Sequence, residues 1–361
     1  MIALFIAMLV SILATMNSIN HIVVKNYILT LIVLFWGSIA AIAQDTSAKS
    51  AITYEELYDD PYAINKLFLH LQPMYAELSA TNVTAGFGIG ANYYMENKAD
   101  FFVSFRQAYT QSFDLARDAA LKNQVIVNKP NGFTFAEIGG TYHFQDFEDD
   151  TDTKLTLYSR KYQKGNRWAA HVPEHTVVPT KVRKIRGVRL GGFAFDTSLD
   201  LKRITQEQTV VLEDAEGAFP QGLYVYSNEV VKGFFIGGSM SWFKNMAVKP
   251  DKGFAILSNN HMLTTFADIM IAPSIVIDDV LYRDPSLGNT LRRFSTDEVK
   301  TKPWGFRLGA EGKNNRTLGW AYGVEVGARP GVKRKGFFAM FKVSLPVYST
   351  NLNYRREAFG K

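Results

Sequence analysis

Apolar and polar residues alternate along most of this chain with a period of two. Successive residues of a strand point to opposite faces, so strict alternation marks a strand held between two different environments. Val83, Ala85, Phe87, Ile89, Ala91, Tyr93 and Met95 form one face, opposite Thr84, Gly86, Gly88, Gly90, Asn92 and Glu96. Phe101, Val103, Phe105 and Tyr109 stand against Asp100, Ser104, Arg106 and Thr110, and Ala136, Ile138, Gly140, Tyr142 and Phe144 against Glu137, Gly139, Thr141 and His143. The last third repeats the pattern in Trp304–Ala310, Trp320–Val326 and Phe337–Val347. Further strands are predicted over Lys66–Leu78, Thr153–Arg160, Lys181–Asp196, Gln221–Ser227, Val231–Phe243 and Leu263–Ile277. The expectation is an all-β chain of about twelve strands, within a range of ten to fourteen.

Two architectures bury such strands: a soluble sandwich or lipocalin-like fold, and a transmembrane antiparallel barrel. The barrel is favoured. Most segments reach the ~9–11 residues that a tilted spanning strand needs, whereas sandwich strands run nearer 5–6. Aromatics gather at the ends of the apolar faces, at Tyr93, Phe101, Tyr109, Phe144, Trp304 and Trp320, where an interfacial girdle belongs. The opposite faces carry Gly, Ser, Thr and charges of both signs, which suit a wet or ion-paired lumen. Closure also removes the sheet edges that lipid does not tolerate.

Loop lengths are unequal. Gly312–Thr317 and Gly331–Lys335 read as short turns, and Asp114–Gly132, Lys161–Thr180, Leu199–Pro220, Lys244–Met262 and Asp278–Pro303 as long connections. Short periplasmic turns and long outer loops are the barrel pattern. At the start, Lys25, the apolar run Tyr27–Trp36 and Ala41-Ile42-Ala43 read as a secretory signal, with cleavage before Gln44. Ile2–Met16 is then an over-extended start with Met16 the initiator, or else an N-terminal membrane segment. The organisation expected is signal peptide 1–43, periplasmic lead-in 44–65, barrel 66–348 and tail 349–361.

Composition narrows the chemistry. The 361 residues include no cysteine, which excludes disulfides, thiolate metal sites, iron–sulfur clusters and a cysteine nucleophile. Aromatics at 13% and a net charge of only +6 exclude a disordered chain. No Gly-rich loop follows a strand and opens a helix, so nucleotide binding has no support. No cofactor and no nucleic-acid partner are expected.

The amphipathic strands, the Ala-Ile-Ala then Gln44 start and the aromatic–Gly alternation resemble an outer-membrane β-barrel protein of the Bacteroidota. Gly237-Gly238-Ser239-Met240-Ser241-Trp242 and Ala272-Pro273-Ser274-Ile275 are loosely similar to the PorP/SprF barrels of gliding and type IX secretion. The resemblance implies residence in the outer membrane.

Several constellations could carry chemistry. His171, Glu174 and His175 offer two imidazoles and a carboxylate to a divalent ion, although Pro173 argues against a helical metal site. Asp146, Glu148, Asp149, Asp150 and Asp152 read as a solvated acidic turn, or as ligands for calcium or for lipopolysaccharide-bridging cations. Lys181, Arg183, Lys184, Arg186 and Arg189 suit lipid headgroups, a barrel mouth that attracts anions, or simply the polar end of a strand. Ser258 and His261 are the nearest approach to a hydrolase set, and catalysis is not expected.

The clearest functional clue is the set His70, Arg106, Glu137, Arg189, Asp268, Arg307, Glu311, Glu325, Arg329 and Lys342, all on predicted lumen faces. Mixed signs at similar depth predict cross-lumen ion pairs. In a narrow barrel these fill the bore; in a wide one they form a weakly selective constriction. Interleaved glycines favour the filled bore, since long side chains then pack over bare backbone. The expected function is a non-enzymatic barrel subunit of an envelope complex, with outer-membrane lipid and protein partners. The alternative is a passive porin-like channel for small solutes.

Overall fold

The computed structural model describes residues 53–95, 98–122, 127–159, 172–220, 223–250, 256–315 and 320–350. The proposed signal peptide and the last eleven residues lie outside them. Ten strands close into one antiparallel barrel: β1 (Leu67–Ser79), β2 (Val83–Met95), β3 (Ala99–Ala108), β4 (Thr134–Ser159), β5 (Val172–Asp200), β6 (Tyr226–Phe243), β7 (His261–Ile277), β8 (Trp304–Asn314), β9 (Ala321–Ala328) and β10 (Phe337–Ser349). Each pairs with its neighbours in sequence, and β10 returns to β1 through Phe338↔Ser79 to Ser349↔Phe68. The fold is an up-and-down meander without crossovers.

Ten strands replace the expected twelve because two pairs of predicted segments are continuous. Ala136–Phe144 and the described part of the second segment, Thr153–Ser159, belong to β4, and the end of Gln221–Ser227 continues through Val231–Phe243 as β6. The acidic run that reads as a turn remains strand because a basic run faces it. Asp146 lies opposite Ile185, Glu148 opposite Arg183 and Asp150 opposite Lys181. Lys181 bridges Glu148 at 3.2 Å, the Arg183 Nε donates to Asp146 at 2.8 Å, Lys184 pairs with Asp149, and Arg186 donates to Gln145 at 3.0 Å. Neither run is therefore a free calcium or headgroup site: each is the other's counter-charge. Opposite charges on facing strands support pairing by roughly 0.2–1 kcal/mol each.

The two barrel ends differ. The end holding the start of β1 and the finish of β10, here the terminal end, receives the β4–β5 hairpin. Past Arg183, which pairs with Phe243, β5 no longer contacts β6 and the hairpin projects alone. This corrects the expected loop Lys161–Thr180, whose second half is strand. A three-stranded sheet of Tyr54–Asp59, Met246–Pro250 and Leu257–Asn259 backs the hairpin. Leu155 and Val178 of the hairpin bury against Met246 and Val248 of that sheet. Connections at this end are thus not uniformly short, and two of the five predicted long connections lie here.

The other three long connections meet at the opposite end and fold into a cap. Helix α1 (Leu115–Lys122) lies between β3 and β4, and α2 (Leu201–Gln208) follows β5 with Asp200 as its N-cap, accepting from the Arg203 N–H at 3.4 Å. Between β7 and β8, Val280–Asp284 pairs with Thr290–Phe294 through a turn where Gly288 and Asn289 take φ of 67° and 66°. Those left-handed values suit glycine and are tolerated by asparagine. Leu199, Leu201, Ile204, Leu212, Val225, Val280, Tyr282, Phe294, Val299 and Val332 form one buried core, with Phe219 edge-on to Phe294 at 5.0 Å. Arg292 ties the cap together by binding both Asp214 and Asp284.

Replacing Phe294 by Ala should cost the cap about 3–5 kcal/mol, the usual range for emptying a buried ring site. Trypsin should then cut within 201–225 and 278–303 while amides of the barrel strands stay protected. A second expectation concerns acid. The Arg292 hydrogen bonds hold the Asp214 carboxyl down to about 2, from an ordinary 3.8. A depressed folded value stabilises above the unfolded pKa, so this contribution is present above pH ~3.8 and is lost as pH falls toward 2. Pepsin cleavage of the cap should accelerate across that window, and Arg292→Met should abolish the acceleration by opening the cap at every pH.

Candidate functional site: the barrel lumen

Alternation along the strands sorts the side chains by environment. Outside lie Leu71, Ile89, Val103, Ile138, Leu190, Ile236, Ile269, Phe306, Leu308, Val324 and Val326, all exposed on adjacent strands. The six girdle residues are exposed as well, and they fall at two levels. Tyr93, Phe101, Phe144 and Trp320 lie toward the terminal end, Tyr109 and Trp304 toward the cap. Tyr109 also donates its hydroxyl to the Pro73 carbonyl.

Every predicted lumen residue points inward. His70, Arg106, Glu137, Arg189, Asp268, Arg307, Glu325, Arg329 and Lys342 are buried, and Glu311 is half-buried. Arg307 occupies the centre, at 1% exposure. Its guanidinium forks onto Glu137 across the bore (Nη1–Oε2 2.9 Å), its Nε donates to Asp268 at 2.9 Å, and Glu325 lies at 3.7 Å. Asp268 also accepts from Arg189 Nε at 3.1 Å. Arg106, equally buried, faces Glu325 at 3.7 Å. Three guanidiniums and three carboxylates therefore form one neutral cluster. β4 and β8 are four strands apart around the wall, as are β3 and β9, so two of these pairs span the lumen.

Rings fill the space between the charges. The Arg189 guanidinium lies 4.1 Å from the Phe266 ring centroid, that of Arg106 4.4 Å from Phe135, and that of Arg307 4.7 Å from Phe235. Arg329 sits over Phe338 at 4.0 Å and forks onto Glu77. Phe133, Phe193, Phe195, Met270 and Tyr75 pack the cap half of the bore. Glycine makes the crowding possible. Gly237 separates Asp268 from Arg189 in one register row, and a Cβ there would overlap the Asp268 carboxylate. Below this layer, toward the terminal end, a cavity of about 80 Å³ remains, lined by His70, Gln72, Asn92, Glu311, Lys313 and Lys342.

Reading from sequence missed Glu77, Lys313 and the inward phenylalanines. Glu77 is hidden by a bulge: the β1 register slips between Gln72 and Tyr75, so inward positions switch from even to odd at Pro73-Met74. Unbroken parity from His70 places Glu77 on the outward face with Leu69 and Leu71, and that misfit beside Pro73 is the available signal. Of the weak metal candidates, His171 lies outside the described residues, as do the side chains of Glu174 and His175. Among the described residues no cluster of three or more metal-ligating side chains is present. Ser258 and His261 line a separate 540 Å³ cavity at the terminal end with Lys244, Asn259, Asn260 and Asn314, a lining without a carboxylate.

No family model and no curated protein matches the chain, so neither supports the PorP/SprF likeness. Among solved structures it is similar to a TodX deltaS2S3 mutant monoaromatic hydrocarbon channel, at 7% identity and a TM-score of 0.15, across 78% of this chain and 89% of that one. So loose a superposition adds nothing to the geometry described above.

Removing one member of a buried ion cluster strands its partners, at about 3–5 kcal/mol. Arg307→Met should lower stability by that amount in guanidinium unfolding of the detergent-solubilised protein. Arg307→Met with Glu137→Met should be less destabilised than the single variant, since Asp268 and Glu325 keep Arg189 and Arg106 while Glu137, which faces Arg307 alone, is no longer stranded. Additive losses would show that the two groups do not act as a pair.

Proposed function

We propose that this chain is an outer-membrane β-barrel with a sealed bore, acting as a non-enzymatic docking subunit of an envelope complex in secretion, motility or outer-membrane assembly. One observation carries the reading: the centre of the lumen is occupied by the Arg307–Glu137 and Arg106–Glu325 pairs and their stacked rings, leaving a cavity of about 80 Å³. A pore keeps an aqueous path, whereas a small barrel can fill its interior with side chains.

The outer wall supports membrane residence. It presents apolar side chains around the barrel, bounded by aromatics at two levels. From Trp304 to Gly312, which pairs with Tyr322, the strand rises about 27 Å at ~3.4 Å per residue. Tilted by ~40°, this leaves ~20 Å between the levels, near the ~25 Å apolar band of outer-membrane barrels. The folded cap and the backed hairpin supply ordered surfaces beyond the wall, as docking requires. A passive channel is the competing reading.

In planar bilayers the purified protein should show no steady conductance, and Arg106→Ala with Arg307→Ala should introduce one. Steady, large conductance of the unaltered protein would overturn the sealed-subunit reading in favour of the channel. Fluorescence from Trp304 and Trp320 should be quenched most by lipids brominated near the headgroup. Quenching by acrylamide alone, as for water-exposed indoles, would remove the membrane from the proposal.

A further inference from the structure

The β4–β5 hairpin leaves two strand edges at the terminal end, and they are treated differently. β5 carries Pro173 and Pro179, six residues apart and so of equal parity. Proline has no N–H to give a ladder and sits in sheets with that side turned outward. The Lys181 N–H, of the same parity, is taken by Asp59 at 2.8 Å. The outer edge of β5 is thus closed to further strands.

The edge of β4 is not closed. β3 pairs with β4 only over Thr134–Tyr142, and the His143 N–H is taken by Lys98 at 2.9 Å. From Phe144 onward β4 pairs only with β5 among the described residues. Pro179 lies opposite Asp152, so this is a non-hydrogen-bonded pair and the Asp152 N–H and C=O point away from β5. Glu148, Asp150 and Lys154 share that parity. All four are exposed, whereas Thr153 and Leu155, of the opposite parity, are buried on the backing sheet. The outward backbone groups of Glu148, Asp150, Asp152 and Lys154 therefore line an edge about 23 Å long at ~3.3 Å per residue, the length of an ordinary strand, with the Asp150 N–H reaching the Asp149 carboxylate. The second layer holds it in place, so a partner strand would not need to order it.

Charge selects the occupant. Lys181 bridges Glu148 and faces Asp150, while Asp152 has no ion pair among the described residues. A second copy of the chain, pairing antiparallel edge to edge, would set Asp150 against Asp152 at two positions, which is destabilising across a ladder, while Glu148 would meet Lys154. A strand bearing Lys or Arg at alternate positions would meet them with opposite charge.

Building on the docking-subunit reading, we infer that the β4 edge over Glu148–Lys154 takes up an extended, basic strand of another exported protein by β-augmentation. The probe is a fluorescein-labelled twelve-residue peptide of alternating Lys, Thr and Val, with a Glu-for-Lys counterpart, titrated against the full chain in detergent. The Lys peptide should bind and slow amide exchange over 148–154 by about tenfold, and the Glu peptide should do neither. Asp152→Pro removes an edge donor without touching the β4–β5 ladder and should weaken binding at least about tenfold, a loss of ~1.4 kcal/mol. Asp152→Asn keeps the donor and should weaken it only about two- to threefold, as a surface charge does. Lys154→Pro tests the same edge should Asp152→Pro fail to fold.

Undiminished binding to both proline variants would reduce the effect to surface charge and overturn the inference. So would amides already slow in the isolated chain and released by deleting 351–361, which would make the occupant the chain's own end. Dimerisation abolished by Asp152→Pro would assign the edge to a second copy and overturn it as well. Conductance and lipid quenching are unchanged by any of these results, so the sealed-barrel reading fails or stands separately.

Discussion

The closed wall depends on how charge is held inside it. Arg106, Arg189 and Arg307 are cations that cost several kcal/mol each to remove from water, and they sit where bulk water does not reach. They are tolerable only because Glu137, Asp268 and Glu325 come to the same place from β4, β7 and β9. The Arg307–Glu137 and Arg106–Glu325 pairs require closure, since their members lie across the bore, and they fix closure in turn: a slip of β3, β4, β8 or β9 would separate a carboxylate from its guanidinium. Phenyl rings on the arginine faces exclude water and strengthen each attraction. The interior is thus one neutral, stacked unit rather than a lining.

With the bore filled, the ordered surfaces outside the wall lie at its two ends. The cap buries its own apolar core and is latched by Arg292 between Asp214 and Asp284. The hairpin at the other end is stiffened by complementary charge along its strands and by a second sheet beneath it. Both are ordered surfaces carried on the barrel wall.

Much of this was legible in the chain. Alternation gave the inward and outward faces of β2, β3, β8, β9 and β10, including the burial of charged residues such as Arg106, Arg307 and Glu325 and the exposure of aromatics such as Tyr93 and Trp304, because a period of two is a local property of extended backbone. Three things were not legible. The bulge at Pro73-Met74 reversed parity and hid Glu77. The acidic run looked like a turn because its repulsion is visible in sequence while its counter-charges, some 35 residues away, are not. The inward phenylalanines, such as Phe135 and Phe235, were unexpected because a lumen was pictured as polar; guanidinium faces made it aromatic.

The sequence by itself determined that the chain is all-β, which side of each strand is greasy, and which charges must find partners. Only the tertiary structure decided how many strands close the wall, that the bore is filled, which acid meets which base, and which edge is left open. The reason is physical. Side-chain direction follows from neighbours two residues away, whereas ion pairing, ring stacking and edge exposure depend on registers between strands far apart in the chain.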